Sequence, residues 1–170
     1  MRVIDTARLT LEPQGAEHAE AMFAVLSDPK IYEYENEPPP SLEWLRKRYA
    51  RLETRQSADG AQRWLNWVLR IRTSELIGYV QATLHPDNRA AIAYELSSAY
   101  WGRGLAHEAV AAMIAELIGH YQVRSLAAVL RRENQRSMRL LERLGFAPAA
   151  PDTPTALEPG EVLMRYAPRS

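Results

Sequence analysis

Cysteine is absent from the chain, and its absence removes a disulfide framework, a thiolate metal site and a cysteine nucleophile together. Long apolar runs are also missing. No stretch approaches a membrane span, and the opening MRVIDTARLT lacks the apolar core of a signal peptide, so the expectation is a cytoplasmic protein. Excess charge is missing too: Lys and Arg total 21 against 21 Asp and Glu. Residues 1–101 hold 12 basic and 14 acidic side chains, and residues 144–170 hold 2 and 3. Only residues 102–143 lean positive, with 7 against 4. That excludes the basic field of a nucleic-acid binder and fits a small anion held near 102–143.

The usual signatures of hydrolases and nucleotide sites fail as well. No Gly-x-Ser-x-Gly elbow is present, and no Gly-Lys-Ser/Thr follows a glycine turn, so neither a serine hydrolase nor a P-loop is supported. His107-Glu108 resembles the start of a zinc-protease helix, but Ala111 stands where the second histidine is needed. His18, His85 and His120 are scattered, and no metal site is expected.

What remains is the composition of a globular protein, with 46% apolar and 25% charged residues over 170 positions. That length suits one domain spanning 1–170, large enough to bury a core without staples. Alternation predicts a strand over Arg8–Glu12, and helical spacing predicts a helix over 15–27. Ser41 is placed to cap a second helix after the acidic, proline-rich YEYENEPPP. Three strands are predicted over 64–72, 76–84 and 91–97. From Leu105 the period becomes 3.6 for about four turns. SLAAVL (125–130) then reads as a strand buried on both faces. Asn134 can cap a fourth helix that Gly145 stops, Phe146 opens a strand, and Glu161–Tyr166 gives the last. The class is α+β.

One stretch carries chemistry by its own pattern. In YWGRGLAHEA (100–109) a strand has just ended, Gly102 and Gly104 form a turn, and a helix begins. Such a turn aims several free backbone amides at one point, and the helix dipole adds to the field there. A phosphate or pyrophosphate is the natural ligand, and the glycines let it come close. Glu95 is a second candidate. It sits on strand 91–97 opposite the side taken by Ile92, Tyr94 and Leu96, just ahead of the turn.

The two segments AIAYELSSAYWGRGLAHEAV and RRENQRSMRLLERLGF resemble the GNAT superfamily of acyl-CoA N-acyltransferases. The likeness is to the branch of RimJ/RimL-type ribosomal-protein N-terminal acetyltransferases. It rests on Trp101-Gly102-x-Gly104-x-Ala106-x-Glu108-Ala109, then Asn134-x-x-Ser137 with Glu142-x-x-Gly145-Phe146. The resemblance implies a strongly twisted mixed sheet of about seven strands with about four helices. It implies transfer of acetyl from acetyl-CoA to a primary amine by direct attack. The acceptor would be a peptide or protein N-terminus or a small amine, and the assembly a monomer or homodimer. An acyl-CoA sensor and an aminoglycoside-modifying enzyme remain as alternatives.

By the same resemblance, the amides of Trp101, Gly102, Arg103, Gly104, Leu105 and Ala106 cradle the pyrophosphate. Arg103, Arg131 and Arg132 are candidates for the phosphates, and Leu96 and Asn134 lie beside the pantetheine arm. Ser137 falls near the sulfur. The tyrosine that many members carry before Gly-Phe as general acid has no counterpart in Leu140–Leu144. Glu95 is the candidate general base, Tyr94 a candidate acceptor contact, and Glu33, Glu35 and Glu37 would attract a cationic acceptor. At pH 7 freeing an α-amine of its proton costs about 1.2 kcal/mol and freeing a lysine about 4.6, so one carboxylate suffices for the α-amine.

Overall fold

The structure is a computed structural model that describes residues 1–150 and 156–167. Pro151 and Pro154, in the loop expected to link the last two strands, lie outside the described residues. The chain forms β1 (Ile4–Asp5), β2 (Leu9–Pro13), α1 (Ala19–Val25), α2 (Leu42–Leu52), β3 (Arg63–Ile71), β4 (Leu76–Leu84) and β5 (Arg89–Leu96). It continues through α3 (Leu105–Gly119), β6 (Ser125–Arg131), α4 (Gln135–Arg143), β7 (Ala147–Pro148) and β8 (Glu161–Tyr166). One mixed sheet runs β1-β2-β3-β4-β5-β6-β8-β7, and among the described residues its only parallel pair is β5 with β6. Eight strands replace the expected seven because Ile4–Asp5 pairs with β2 in a short ladder that has no alternating apolar signal.

The predicted caps hold. The Ser41 hydroxyl accepts from the Trp44 amide and the Asn134 carboxamide accepts from the Ser137 amide. Gly145 ends α4 at φ +92°, where a side chain would be strained. The 15–27 helix begins instead as a 3-10 turn over Ala16–His18, and β7 starts one residue after Phe146, whose ring is buried.

Alternation sorts the two faces of the sheet. Leu65, Trp67 and Leu69 of β3 and Val80 and Ala82 of β4 face α3 in the main core. Val68 of β3 joins the smaller cluster under α1 and α2. Asn66 and Gln81 are register partners on that same side. SLAAVL departs from expectation: Leu126, Ala128 and Leu130 are buried, but Val129 is 42% exposed. This strand is covered on one face only, because the sheet opens beside it.

Candidate active site

The opening is visible in the register. β5 and β6 pair only at Arg89–Ser125, Ala90–Leu126 and Ala91–Ala127. Beyond that point β6 pairs with β8 out to Arg131, while β5 runs on to Leu96 alongside β4. The Ser97 amide donates to the Ile77 carbonyl at 2.8 Å. Bonded residues alternate in an antiparallel ladder, so the backbone groups of Tyr94 and Leu96 turn the other way, into the gap. A wedge-shaped slot results, with one wall of backbone that no strand among the described residues pairs.

At the mouth of the slot lies the glycine turn. Gly102 and Gly104 both take φ +74°, and Gly104 is the residue before the first turn of α3. Among the described residues the amides of Gly102 through Ala106 have no acceptor; the first return bond runs from the Glu108 amide to the Gly104 carbonyl. The Trp101 amide, by contrast, is already bonded to the Ser98 carbonyl, so the free row begins one residue later than expected. A clasp sets the row's direction. Glu108 accepts from the Thr6 hydroxyl at 2.6 Å and from the Arg8 amide and Nε, both at 2.7 Å, while Arg8 Nη1 donates to the Arg103 carbonyl at 2.7 Å. Burial opposes charge on Glu108, but these donors outweigh it and hold the carboxyl below its ordinary range. A cavity of about 260 Å³ extends inward from the turn, past Leu96, Asn134 and Ser137.

Tyr94 and Glu95 are consecutive and therefore point to opposite faces of β5, yet both line this cavity because the sheet is split beside them. Tyr94 reaches α4, and its hydroxyl is hydrogen-bonded to Ser137 Oγ. Burial raises the phenol to about 12 against the pull of the Ser137 bond, so it stays protonated at neutral pH. Glu95 turns toward α1 and α2. Burial raises its carboxyl to about 7; the Leu96 amide and Arg136 pull it down, and Glu35 and Asp28 push it up. A carboxyl poised there can accept a proton near neutral pH. On its side a second cavity of about 480 Å³ opens, walled by Tyr32, Glu35, Tyr49 and Val129.

The structure thus brings together Tyr94, Glu95, Leu96, Asn134, Ser137 and the glycine turn. Glu35 borders both cavities and Glu37 the larger one. Three candidates are not brought in, Arg131, Glu33 and Arg132, the last exposed and bordering neither cavity. Arg131 is held by the Pro159 carbonyl at 2.7 Å and by Glu158 at 3.1 Å, away from the turn. Glu33 is exposed and borders neither cavity. Arg103 stacks over Tyr100 at 5.4 Å, beside the turn.

Sequence reading missed Arg136 and Arg143, which line the cavity beside the glycine turn from α4. Arg136 lies 3.4 Å above the Trp101 ring, whose Nε1 donates to the Leu96 carbonyl. Their spacing along one face of a helix already capped by Asn134 was the available signal.

Comparison with known proteins agrees with this geometry. The family model described as an acetyltransferase (GNAT) domain matches residues 8–147. The uncharacterized N-acetyltransferase YoaA of Bacillus subtilis is 27% identical over 85% of this chain and 82% of its own. The uncharacterized N-acetyltransferase p20 of Bacillus licheniformis is 28% identical over 86% and 83%. Among solved structures, RimL, a ribosomal alpha-N-protein acetyltransferase in complex with coenzyme A, superposes with TM-score 0.81 at 17% identity, covering 98% of both chains. A GNAT-family acetyltransferase from Bacillus anthracis gives 0.78, also at 17% identity and 98% of both chains. The chain belongs to the GNAT acetyltransferase family and is an acetyl-transferring enzyme.

Proposed function

We propose that this chain is an acetyl-CoA-dependent N-acetyltransferase of the RimJ/RimL type, folded as one domain over 1–170. Its acceptor is a primary amine, best matched by a peptide or protein N-terminus. The observation that carries the reading is the split between β5 and β6, where free amides, Ser137 and Glu95 converge. GNAT enzymes use acetyl-CoA, and the RimL neighbour holds coenzyme A.

The residues fit that donor. The row of unpaired amides from Gly102 to Ala106 would hold the pyrophosphate, and nothing lies within 4 Å of where a Cβ at Gly102 would stand. Arg103, Arg136 and Arg143 would meet the phosphates, and the gap edge of Tyr94 and Leu96 would pair with the pantetheine amides. Bound acetyl-CoA supplies an acetyl thioester, whose acyl carbon is open to attack by a neutral amine. Glu95 takes the proton of the acceptor ammonium. With its carboxyl at about 7 it is about half ionised where an α-amine still carries its proton. Ser137 Oγ, backed by the Tyr94 hydroxyl, presents a proton toward the sulfur. A phenol from β5 thereby stands in for the tyrosine that α4 lacks.

The test is thermal unfolding with and without saturating acetyl-CoA, followed by thiol release with peptide acceptors. At a hundred times Kd the ligand adds about 2.7 kcal/mol, which raises Tm by roughly 5–10 °C in a domain of this size. Gly104→Glu should remove the shift. No shift with the unaltered chain would sink the reading.

A further inference from the structure

A third cavity, of about 410 Å³, lies between α2 and strands β3 and β4. It shares Trp44, Arg48, Leu52 and Gln81 with the larger cavity at Glu95, so the two form one trough. Its wall is cationic and aromatic. Arg48 sits 5.5 Å from the Trp44 ring and Arg51 5.4 Å from the Trp64 ring. The ion pairs of α2 use Arg46 with Glu20 and Lys47 with Glu43, and among the described residues no carboxylate pairs with Arg48 or Arg51. Trp44 is 44% exposed, so part of its ring is open to a bound chain.

The floor is polar where a sheet under a helix is usually apolar. Asn66, only 6% exposed, lies opposite Gln81, and Thr83 lies opposite Trp64. Ala91 and Ala93 keep the neighbouring part of β5 low. At the junction Gln14 is 5% exposed and borders the larger cavity, and its Nε2 is buried with no acceptor among the described residues. A buried amide without a partner costs about 1–3 kcal/mol, so it marks a place where a ligand carbonyl is wanted.

We infer that this trough binds the downstream residues of an acidic acceptor peptide, with the peptide's amino terminus at Glu95. The inference rests on the N-acetyltransferase reading above and deepens it. The charge layout selects the occupant. One end carries Glu35, Glu37 and Glu95 and suits an ammonium; the other carries Arg51 with Lys47 at the rim, Arg48 stands where the two cavities meet, and that end suits carboxylates. A polyamine or aminoglycoside is cationic throughout and matches only the first end. A peptide with a free amino terminus followed by Asp or Glu matches both, and its backbone supplies partners for the Gln14, Asn66 and Gln81 carboxamides. The register gives the spacing. Glu95 lies opposite Tyr79, and Trp64 opposite Thr83, four residues further along β4 and two strands across. At about 3.3 Å per residue and about 4.8 Å per strand the diagonal is about 16 Å, or about five extended residues. The acidic side chains therefore belong at about the fourth to sixth positions of the acceptor.

Two decapeptides with the same first three residues and free amino termini test this, one with Asp-Glu-Asp and one with Lys-Gly-Lys at positions four to six. Thiol release is measured at low salt, together with quenching of intrinsic tryptophan fluorescence by each peptide. The expected result is a KM about tenfold lower for the acidic peptide at similar kcat, the size of two or three exposed charge pairs. The preference should vanish in 0.5 M NaCl and in the double variant Arg48→Gln/Arg51→Gln, whose side chains are at the surface and whose fold is checked by circular dichroism. Trp44→Phe/Trp64→Phe should lose the quenching. Equal KM values for the two peptides would overturn the inference and leave acetyl transfer standing. Acidic peptide that quenches but is never acetylated would support the trough and overturn the enzymatic reading instead. Quenching by a single-stranded oligonucleotide and by neither peptide would reassign the trough to nucleic acid.

Discussion

Replacing Glu95 by Gln should stabilise the protein while disabling it, and the gain should depend on pH in a defined way. Glu95 has a carboxyl raised to about 7 in the folded state, chiefly by burial, against an ordinary value of 4.5 in the unfolded chain. Between those two values the folded protein binds more protons than the unfolded one. Stability therefore falls as pH rises from about 4.5 to about 7, then levels off. The full penalty is about 3 kcal/mol, from 1.36 kcal/mol per unit over about 2.5 units. Gln carries no charge to desolvate, and its carbonyl oxygen can still accept from the Leu96 amide. At pH 8 the variant should melt roughly 6–12 °C above the unaltered chain, and at pH 4.5 the two should nearly coincide, using about 2–4 °C per kcal/mol. Calorimetry across that range gives the difference directly. Thiol release with a peptide acceptor should fall about 10² to 10⁴-fold in the same variant, with loss of the ionisation near pH 7. A Tm difference that is the same at pH 4.5 and pH 8 would refute the claim that Glu95 is held ionised against its surroundings.

Three further outcomes follow from the geometry. Tyr94→Phe removes the hydroxyl bonded to Ser137 and should lower kcat about tenfold with little change in acetyl-CoA affinity, read by steady-state kinetics. Gly78→Ala should lower Tm by several degrees, because a Cβ there would overlap the Glu95 backbone carbonyl and β4 cannot move away without losing its ladder to β5; an unchanged melt would count against that packing. Glu108→Ala strips the clasp from Thr6 and Arg8, should cost about 1–3 kcal/mol, and should weaken coenzyme A binding because Arg8 also holds the Arg103 carbonyl in place; isothermal titration checks the second effect.

Much of the layout was legible because it is written locally. The caps at Ser41 and Asn134, the glycine stop at 145 and the change of period at Leu105 each depend on residues within one turn of one another. What could not be read is what depends on two distant segments at once. SLAAVL reads as buried on both faces because the run is almost wholly apolar; Val129 is exposed because β5 leaves β6 after Ala91, a fact of pairing rather than composition. Arg131 reads as a free cation in the sequence, and only the return of the chain at Glu158 and Pro159 shows that it is spent. The same split gives meaning to the dipeptide Tyr94-Glu95. In an intact sheet, neighbours on a strand serve opposite faces and never share a site. Here the missing sheet neighbour joins the two faces, so a phenol backed by α4 and a carboxyl facing α2 both reach one slot. In the reaction proposed above, the base would then stand on the acceptor's side and the Tyr94–Ser137 pair on the sulfur's, from two residues adjacent in sequence.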